Sequence, residues 1–326
     1  MQRDVALVTG GNSGIGFEAA RALARAGWHV LLASRSRAAS AAAVARIEAE
    51  SGAGSASELG LDLASLASVR QLAKEVEARD LPLRALVCNA GLQGRELQRS
   101  ADGFERTFAA NHLGHFLLVN RLLPRLAAHA PARIVVVASG VHDPAQRTGM
   151  PKPAISDFDA LAAGADATGG PFSGPRAYVH SKLCNVWFTY ELARRLEASG
   201  LASADRPITA NAYDPGLVPG SGLARDYPPA LRWLWNRVLP GVARVLTPVY
   251  PGISTAPKSG GALARLVLDP ALAETTGRYF PSTARWRAAP SSAESYDEAR
   301  ARALWEASAR LCALAPDESP LARAAS

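Results

Sequence analysis

The fold of this chain is decided by the stretch Val5-Ala6-Leu7-Val8-Thr9-Gly10-Gly11-Asn12-Ser13-Gly14-Ile15-Gly16 near its start. The four apolar residues predict a buried strand, the glycines predict a turn, and the residues that follow have helical character. Gly10 permits the tight turn, Gly14 lets backbone N–H groups approach a pyrophosphate, and Gly16 lets the helix pack against the strand. The positive end of that helix would then face the phosphates. The stretch therefore predicts a strand–turn–helix unit that binds a dinucleotide.

The same alternation of short apolar runs and helical segments continues along the chain. Further strands are predicted at 29–33, 58–61, 83–87, 133–138, 208–212 and 278–280. Strands separated by helices at regular spacing imply an α/β fold with a Rossmann-type, doubly wound parallel sheet that binds ligands at its carboxyl edge. No repeat or linker divides the chain, so we expect a single domain over 1–326, with a lid-like insertion at about 217–257 and a C-terminal helix at about 293–314.

Polar residues follow several strands at this predicted edge. Ser34-Arg35 follows the second strand and includes no acid. A carboxylate there would accept from the ribose 2′-hydroxyl of NAD, whereas an arginine pairs with the 2′-phosphate of NADP, so we expect NADP(H). Asp62 follows the third strand and either accepts from the adenine amino group or caps the local turn. Asn89-Ala90-Gly91 follows the fourth strand in the same way.

Composition narrows the range of partners. The chain has 326 residues, 48% of them hydrophobic, and a formal net charge of +7. Its arginines are scattered, so a solvated basic surface is a better interpretation than a nucleic-acid interface. Three cysteines without paired spacing predict neither a disulfide framework nor a zinc site, and the first residues resemble no signal or membrane segment. We expect a cytoplasmic protein that binds no metal and no nucleic acid.

A tyrosine and a lysine four residues apart form the main chemical candidate. Tyr178 and Lys182 lie in a run with helical character, so their side chains share one face. An ammonium held there favours the phenolate, and a phenol with an ordinary pKa of about 10 then becomes usable as an acid or base near neutral pH. The pair has a function only if the fold brings a cofactor to the phenol.

Two further polar residues stand at unusual places. Asn111 interrupts a long helical region, 103–129, and marks a local kink where a side chain or water replaces backbone hydrogen bonds. Ser139 follows the most strand-like run of the chain, 133–138, at the same predicted edge as the glycine turns. It either caps a turn or contacts a ligand, and its position favours the ligand.

The segment 217–257 is amphipathic, is interrupted by prolines and contains Trp233 and Trp235. It can be a substrate lid, a helix that lies on a membrane surface, or a core helix. We favour the lid, which would suit a bulky apolar substrate. Peripheral membrane contact stays an alternative.

Together these motifs resemble the short-chain dehydrogenase/reductase family. They stand in the family's order: Thr9–Gly16 as TGxxxGxG, Asn89-Ala90-Gly91, Asn111, Ser139, Tyr178-x-x-x-Lys182 and Pro215-Gly216. The resemblance covers almost the whole chain. It implies a nicotinamide cofactor, and also a homodimer as one option, because relatives often dimerise through the long helices around Tyr178.

Within this family, the chain is similar to retinol dehydrogenases and light-dependent protochlorophyllide reductases. The segments that carry the similarity are 61–66 with 69–71, 111–118, 177–185, 214–226 and 303–306. The last two lean towards protochlorophyllide reductases, and Cys184 matches a cysteine of that enzyme's active site. Two features depart from the pattern. Residues 90–95 replace a loop that holds an aromatic residue and proline in those reductases, and Gly220, with Ser221 beside it, replaces a threonine that holds the nicotinamide carboxamide.

The resemblance implies hydride transfer between C4 of the nicotinamide and a carbonyl or carbinol carbon. Tyr178 would exchange the oxygen's proton, and Lys182 would favour its phenolate and bind the ribose. Ser139 would bind the substrate oxygen, and Asn111 would hold a water for proton relay. The expected cofactor contacts are Thr9, Gly10, Asn12, Ser13, Gly14, Ile15, Gly16, Ser34, Arg35, Asp62, Leu63, Asn89, Ala90, Gly91, Tyr178, Lys182, Pro215, Gly216 and Leu217. The expected substrate contacts are His142, Cys184 and Trp233.

Three functions are compatible with these residues. The first is a dark, NADPH-dependent reductase or dehydrogenase of a bulky apolar carbonyl or alcohol, and the second is a light-driven reductase of a pyrrole double bond. The third is a non-catalytic NADP-binding sensor. A sensor needs no proton donor, so the presence of Ser139, Tyr178 and Lys182 favours an enzyme.

Overall fold

The computed structural model describes residues 3–203, 205–222, 228–246, 250 and 252–321. Parts of the predicted lid, 223–227, 247–249 and 251, lie outside the described residues. Residues 223–226 also belong to the segment 214–226, which resembles protochlorophyllide reductases, and this part of the segment is likewise not described.

Seven parallel strands form one sheet in the order β3-β2-β1-β4-β5-β6-β7. The strands are β1 Val5–Thr9, β2 His29–Ser34, β3 Ala56–Gly60, β4 Leu83–Cys88, β5 Ala132–Val137, β6 Ile208–Asp214 and β7 Tyr279–Pro281. The order reverses direction between β1 and β4, which opens a crevice at the carboxyl ends of these strands. The predicted Rossmann-type, doubly wound sheet is confirmed.

Helices cover both faces of the sheet. They are α1 Gly14–Arg25, α2 Arg37–Ser51, α3 Leu66–Ala78, α4 Arg106–Phe108, α5 Gly114–Ala128, α6 Phe158–Ala162, α7 Gly174–Ser199, α8 Pro229–Trp233, α9 Leu239–Leu246, α10 Ala256–Leu268 and α11 Glu298–Leu311. One apolar layer joins the sheet to α1, α2 and α10, and the other joins it to α3, α5, α7 and α11. Within the described part of the chain, no helix combines the length and apolar character that crossing a bilayer requires.

Helix α7 is 26 residues long and begins at a defined cap. Ser173 accepts from the Arg176 N–H, Pro175 stands in the first turn, and Gly200 ends the helix with a left-handed φ of 70°. The C-terminal helix α11 covers one side of α7, where Trp305 stacks on Phe188 with ring centroids 5.8 Å apart. Trp187 and Phe188 are therefore core residues. A homodimer would have to use a different surface from these two side chains.

The break predicted at Asn111 is present. A π-helical turn, Ala109–Leu113, stands between α4 and α5. Gly114 follows it because a Cβ there would collide with the Leu63 carbonyl oxygen. Turns of this kind interrupt the regular hydrogen-bond ladder of a helix. Carbonyl groups that would be bonded within a straight helix can therefore accept hydrogen bonds from other parts of the chain.

Candidate active site

A cavity of about 990 Å³ lies at the carboxyl edge of the sheet. Its floor is formed by residues at or just after the carboxyl ends of six strands, β1 to β6, together with α7. Its roof includes residues from the segment 217–253. The residues that line it include those of the glycine turn as well as Tyr178 and Lys182.

The glycine turn has the backbone that a dinucleotide cradle needs. Gly10 has φ +65°, and a Cβ there would lie 3.1 Å from the Ala90 Cα. A Cβ on Gly16 would press on the Asn89 amide and lie 2.5 Å from the Gly10 carbonyl oxygen. The N–H groups in the first turn of a helix have no acceptor within that helix, and Gly14, at the start of α1, lines the cavity. These glycines fit the pyrophosphate site that the sequence predicts.

Thr9 lies behind the cavity wall instead of on it. It is fully buried, and its Oγ1 accepts from the N–H groups of Asn89 and Ala90, each at 3.0 Å. The Asn89 amide donates to the Thr9 carbonyl oxygen at 2.8 Å. The expected contact between Thr9 and the cofactor is thus replaced by a structural role, because the hydroxyl holds the tips of β1 and β4 together.

The far end of the floor carries the residues predicted to bind the adenosine half. Ser34, Arg35, Asp62 and Leu63 all line the cavity, and Arg35 is exposed. Asp62 Oδ1 accepts from the Ala64 N–H at 3.0 Å, so the carboxylate caps its local turn while it also lines the cavity. Both interpretations of Asp62 agree with this geometry.

Ser139, Tyr178 and Lys182 meet at the opposite end of the floor. All three line the cavity, and Lys182 Nζ lies 5.5 Å from the centroid of the Tyr178 ring. Lys182 Nζ donates to the Val137 carbonyl oxygen at 2.9 Å, which ties α7 to the strand that carries Ser139. Burial lowers the pKa of Lys182 to about 8, and the carboxyl of Asp214 opposes that shift.

Asn111 joins this group in a different way from the one expected. Its side chain is buried and does not line the cavity. The amide Nδ2 donates to the Leu92 carbonyl oxygen and to Ser181 Oγ, each at 2.9 Å, and Oδ1 accepts from the Leu92 N–H at 2.8 Å. The amide therefore fixes the loop after β4.

Sequence reasoning gave no chemical role to Asp214, which lies beneath Ser139. The carboxyl accepts from the Gly216 N–H at 2.9 Å and interacts with the Gly140 N–H and the Tyr279 hydroxyl. Burial raises its pKa. The residue thus holds together the loops that follow β5 and β6. Pro215, Gly216 and Leu217, the predicted contacts after it, do line the cavity.

None of the three expected substrate residues lines the cavity. Cys184 is fully buried in the apolar layer with Trp187, because a residue two positions after Lys182 points to the other side of the helix. His142 is also fully buried, and its Nδ1 hydrogen-bonds the Ser139 carbonyl oxygen at 2.6 Å. Trp233 is 62% exposed on the outer side of the roof.

Other residues line the cavity in their place. Trp235 lines the cavity, and its Nε1 donates to the Ser221 carbonyl oxygen at 3.1 Å. Ser221 itself lines the cavity, whereas Gly220 does not. The loop that follows Ser139 also lines the cavity, through Gln146, Arg147, Thr148 and Met150. Its sequence shows no periodicity that could have identified these contacts.

No cluster of three or more His, Cys, Asp or Glu side chains in the described ranges is arranged to hold a metal ion.

Comparison with known proteins places the chain among oxidoreductases. The short chain dehydrogenase family model matches residues 4–149. The WW domain-containing oxidoreductase of Pongo abelii is 37% identical over 310 residues, which cover 94% of this chain and 67% of that protein. Protochlorophyllide reductase B of Hordeum vulgare is 34% identical over 328 residues, covering 95% of this chain and 79% of that protein.

Solved structures agree with the sequence relatives. A Beutenbergia cavernae protein assigned as an NAD(P)-dependent gluconate 5-dehydrogenase, with NADP bound at low occupancy, superposes with a TM-score of 0.62 and 25% identity. The match covers 88% of this chain and 97% of that one. With the sheet order, the glycine turn and the Ser139, Tyr178 and Lys182 set, these matches show that the chain belongs to the short-chain dehydrogenase/reductase family of oxidoreductases.

Proposed function

We propose that the protein is an NADP(H)-dependent oxidoreductase that moves a hydride between the nicotinamide and the carbonyl or carbinol carbon of a bulky apolar substrate. One observation carries this proposal: the glycine turn and the Ser139, Tyr178 and Lys182 set line the same cavity. A dinucleotide that lies along the floor would thus reach from Arg35 to Tyr178. The NADP found in the Beutenbergia cavernae protein supports the choice of cofactor.

The residues of the floor fit this cofactor. The N–H groups at the start of α1 would face the pyrophosphate, and Arg35 would pair with the 2′-phosphate. No carboxylate stands at 33–36 to accept from a ribose 2′-hydroxyl. Bound NADPH supplies a hydride from its nicotinamide C4.

Proton transfer is assigned to the chain itself. During reduction, Tyr178 donates its hydroxyl proton to the substrate oxygen, while the Ser139 hydroxyl donates a hydrogen bond to the same atom. The alcohol product has then gained one hydride and one proton, and the tyrosinate recovers its proton from solvent. The Lys182 ammonium stabilises that tyrosinate. With a pKa of about 8, most Lys182 side chains are charged at neutral pH.

The substrate class follows from the wall around Tyr178. Apolar side chains that line the cavity include Leu92, Val141, Met150 and Val218. A pocket of this kind binds through apolar surface, with a few polar groups that set orientation. We therefore assign a bulky apolar ketone, aldehyde or alcohol.

The decisive experiment pairs two tyrosines of the same helix. Tyr178→Phe is expected to lower turnover with the best carbonyl substrate by about 10²–10⁴-fold, because a general acid is lost, while NADPH still binds. Tyr190→Phe is the matched control. Tyr190 is buried, its hydroxyl contacts Ser291 Oγ at 2.6 Å, and it does not line the cavity. Near-normal turnover of Tyr178→Phe would refute the mechanism.

Light-driven reduction of a pyrrole double bond is the second candidate, supported by the 34% identity to protochlorophyllide reductase B. The burial of Cys184 in the core removes one residue that favoured it. A panel of carbonyls, alcohols and a porphyrin-type substrate, followed by NADPH absorbance in darkness and under illumination, separates the two. Turnover that needs light would favour this candidate. Bound NADPH without turnover of any substrate would point to the sensor.

A further inference from the structure

His115 forms a link between the cofactor loops and Asn111. It lies in the first turn of α5 and is 1% exposed. Its Nε2 is 2.9 Å from Thr9 Oγ1, and its Nδ1 is 3.0 Å from the Asn111 carbonyl oxygen. It does not line the cavity.

The hydrogen bonds around this ring fix its tautomer. The Asn111 carbonyl oxygen can only accept, so Nδ1 carries a proton and donates. Thr9 Oγ1 already accepts from two backbone N–H groups, so its own proton must be donated. The nearer acceptor is His115 Nε2 at 2.9 Å, since the Val87 carbonyl oxygen lies 3.4 Å away. The ring is thus neutral, with its proton on Nδ1.

The charge state agrees with this assignment. Burial lowers the pKa of His115 to about 4, and the positive charge of Lys182 lowers it further, while the Asn111 carbonyl acts in the opposite direction. A neutral ring with one donor and one acceptor satisfies both of its neighbours at once. A charged ring would offer Thr9 a second donor where an acceptor is needed.

Both ends of the link lead to the proposed site. Thr9 holds the N–H groups of Asn89 and Ala90 at the cofactor end. Asn111 lies in the π-helical turn, and its amide binds Ser181, the residue next to Lys182. The Asn111 carbonyl oxygen accepts from the His115 N–H, so the ring holds this turn in place.

We propose that His115 is a positioning residue. Through Nε2 it orients Thr9, which anchors the cofactor loop at Asn89 and Ala90, and through Nδ1 it holds the turn whose Asn111 amide binds Ser181, the neighbour of Lys182. This inference rests on the proposed function for its catalytic half. The cofactor half concerns NADPH binding alone and can be tested without a substrate.

Three substitutions separate the two bonds. His115→Phe keeps a ring and removes both bonds. In His115→Asn the side-chain amide nitrogen can occupy the place of Nδ1, whereas in His115→Gln the side-chain oxygen can occupy the place of Nε2. We expect His115→Phe to raise the NADPH Kd about tenfold and to lower kcat about tenfold, as for one lost hydrogen bond at each end. The Asn variant should recover kcat but not Kd, and the Gln variant should recover Kd but not kcat.

His29→Phe is the matched control. His29 begins β2 and does not line the cavity, and its Nδ1 and Nε2 hydrogen-bond the Gly54 carbonyl oxygen at 2.8 Å and Ser57 Oγ at 3.0 Å. Its substitution should change the melting temperature but leave NADPH Kd and kcat within twofold.

The outcomes distinguish the inference from the proposed function. An unchanged Kd and kcat in His115→Phe, or losses in the Asn and Gln variants that match the fall in melting temperature, would overturn the positioning role. A wild-type protein that turns over no carbonyl or alcohol would refute the proposed function, and the NADPH Kd series would still decide the cofactor half. Split recovery by the Asn and Gln variants would establish both halves.

Discussion

The floor and the roof of the cavity are built in different ways. The floor consists of strand ends and one face of α7, and its central residues, such as Lys182, are buried and hydrogen-bonded to neighbouring elements. The roof, formed in part by 229–246, leaves Trp233 62% and Val245 75% exposed. Sheet register fixes the first group, whereas residues 229–246 of the second form short helices. In the proposed function the floor carries the chemistry and the roof selects the substrate.

The largest effect is expected at the centre of the floor. Lys182→Met should lower kcat by about 10²–10⁴-fold, because the tyrosinate loses the ammonium that stabilises it. Lys258→Met is the control, since Lys258 is an exposed lysine outside the cavity. Steady-state kinetics on both variants test this, and a Lys182→Met enzyme within tenfold of the wild type would show that the floor does not carry the chemistry.

In the glycine turn, the addition of one methyl group should remove most of the affinity for NADPH. Gly16→Ala places a Cβ against Asn89 and the Gly10 carbonyl, and this overpacking should weaken NADPH binding about a hundredfold. Gly261→Ala in α10 meets open space and should instead stabilise the fold by about 0.5–1 kcal/mol. Titration calorimetry and thermal melts measure the two effects. Equal affinity for NADPH in both variants would contradict the assignment of the glycine turn as the pyrophosphate site.

At the adenosine end, Arg35→Ala should weaken NADPH binding about ten- to a hundredfold, as for the loss of a hydrogen-bonded charge. NADH binding should hardly change, because NADH has no 2′-phosphate. Arg37→Ala, two residues on and not part of the cavity wall, provides the comparison. If Arg35→Ala weakens both cofactors equally, the preference for NADP(H) has another origin.

The floor should also respond to pH. Because the pKa of Lys182 is lowered to about 8, its charge is present at neutral pH and is lost as pH rises through that value. Reduction should therefore slow about tenfold between pH 8 and 9.5. Asp214 supports the ammonium and His115 stays neutral in this range. A kcat profile that is flat to pH 9.5 would argue against a charged Lys182 in turnover.

The smallest effects belong to the roof. Trp235→Ala should raise KM several-fold for bulky apolar substrates and less for small ketones, because apolar contact area (about 1 kcal/mol) is lost together with the hydrogen bond to the Ser221 carbonyl oxygen. Trp233→Ala should change neither, since its ring faces outwards. The same rise in KM for both variants would mean that the roof rearranges when substrate binds.

Much of the floor could be predicted because its signals are local. A glycine that must adopt a positive φ, such as Gly10, or that must admit a neighbouring backbone, such as Gly16, is visible in the sequence itself. The spacing of Tyr178 and Lys182 likewise fixes a shared helical face. The substrate residues could not be predicted in this way. Trp233 and Trp235 are equally apolar, and only packing decides which of them faces the cavity.

The sequence alone determined the parallel sheet, the glycine turn and the tyrosine–lysine pair, because each depends on backbone conformation or on the period of a helix. Tertiary structure alone decided that Cys184 enters the core, that Thr9 lies behind the cavity and that His115 joins Thr9 to Asn111. Thr9 and His115 are 106 residues apart. No local pattern encodes a hydrogen bond across that separation, since it exists only after the strand ends and the π-helical turn have packed against each other.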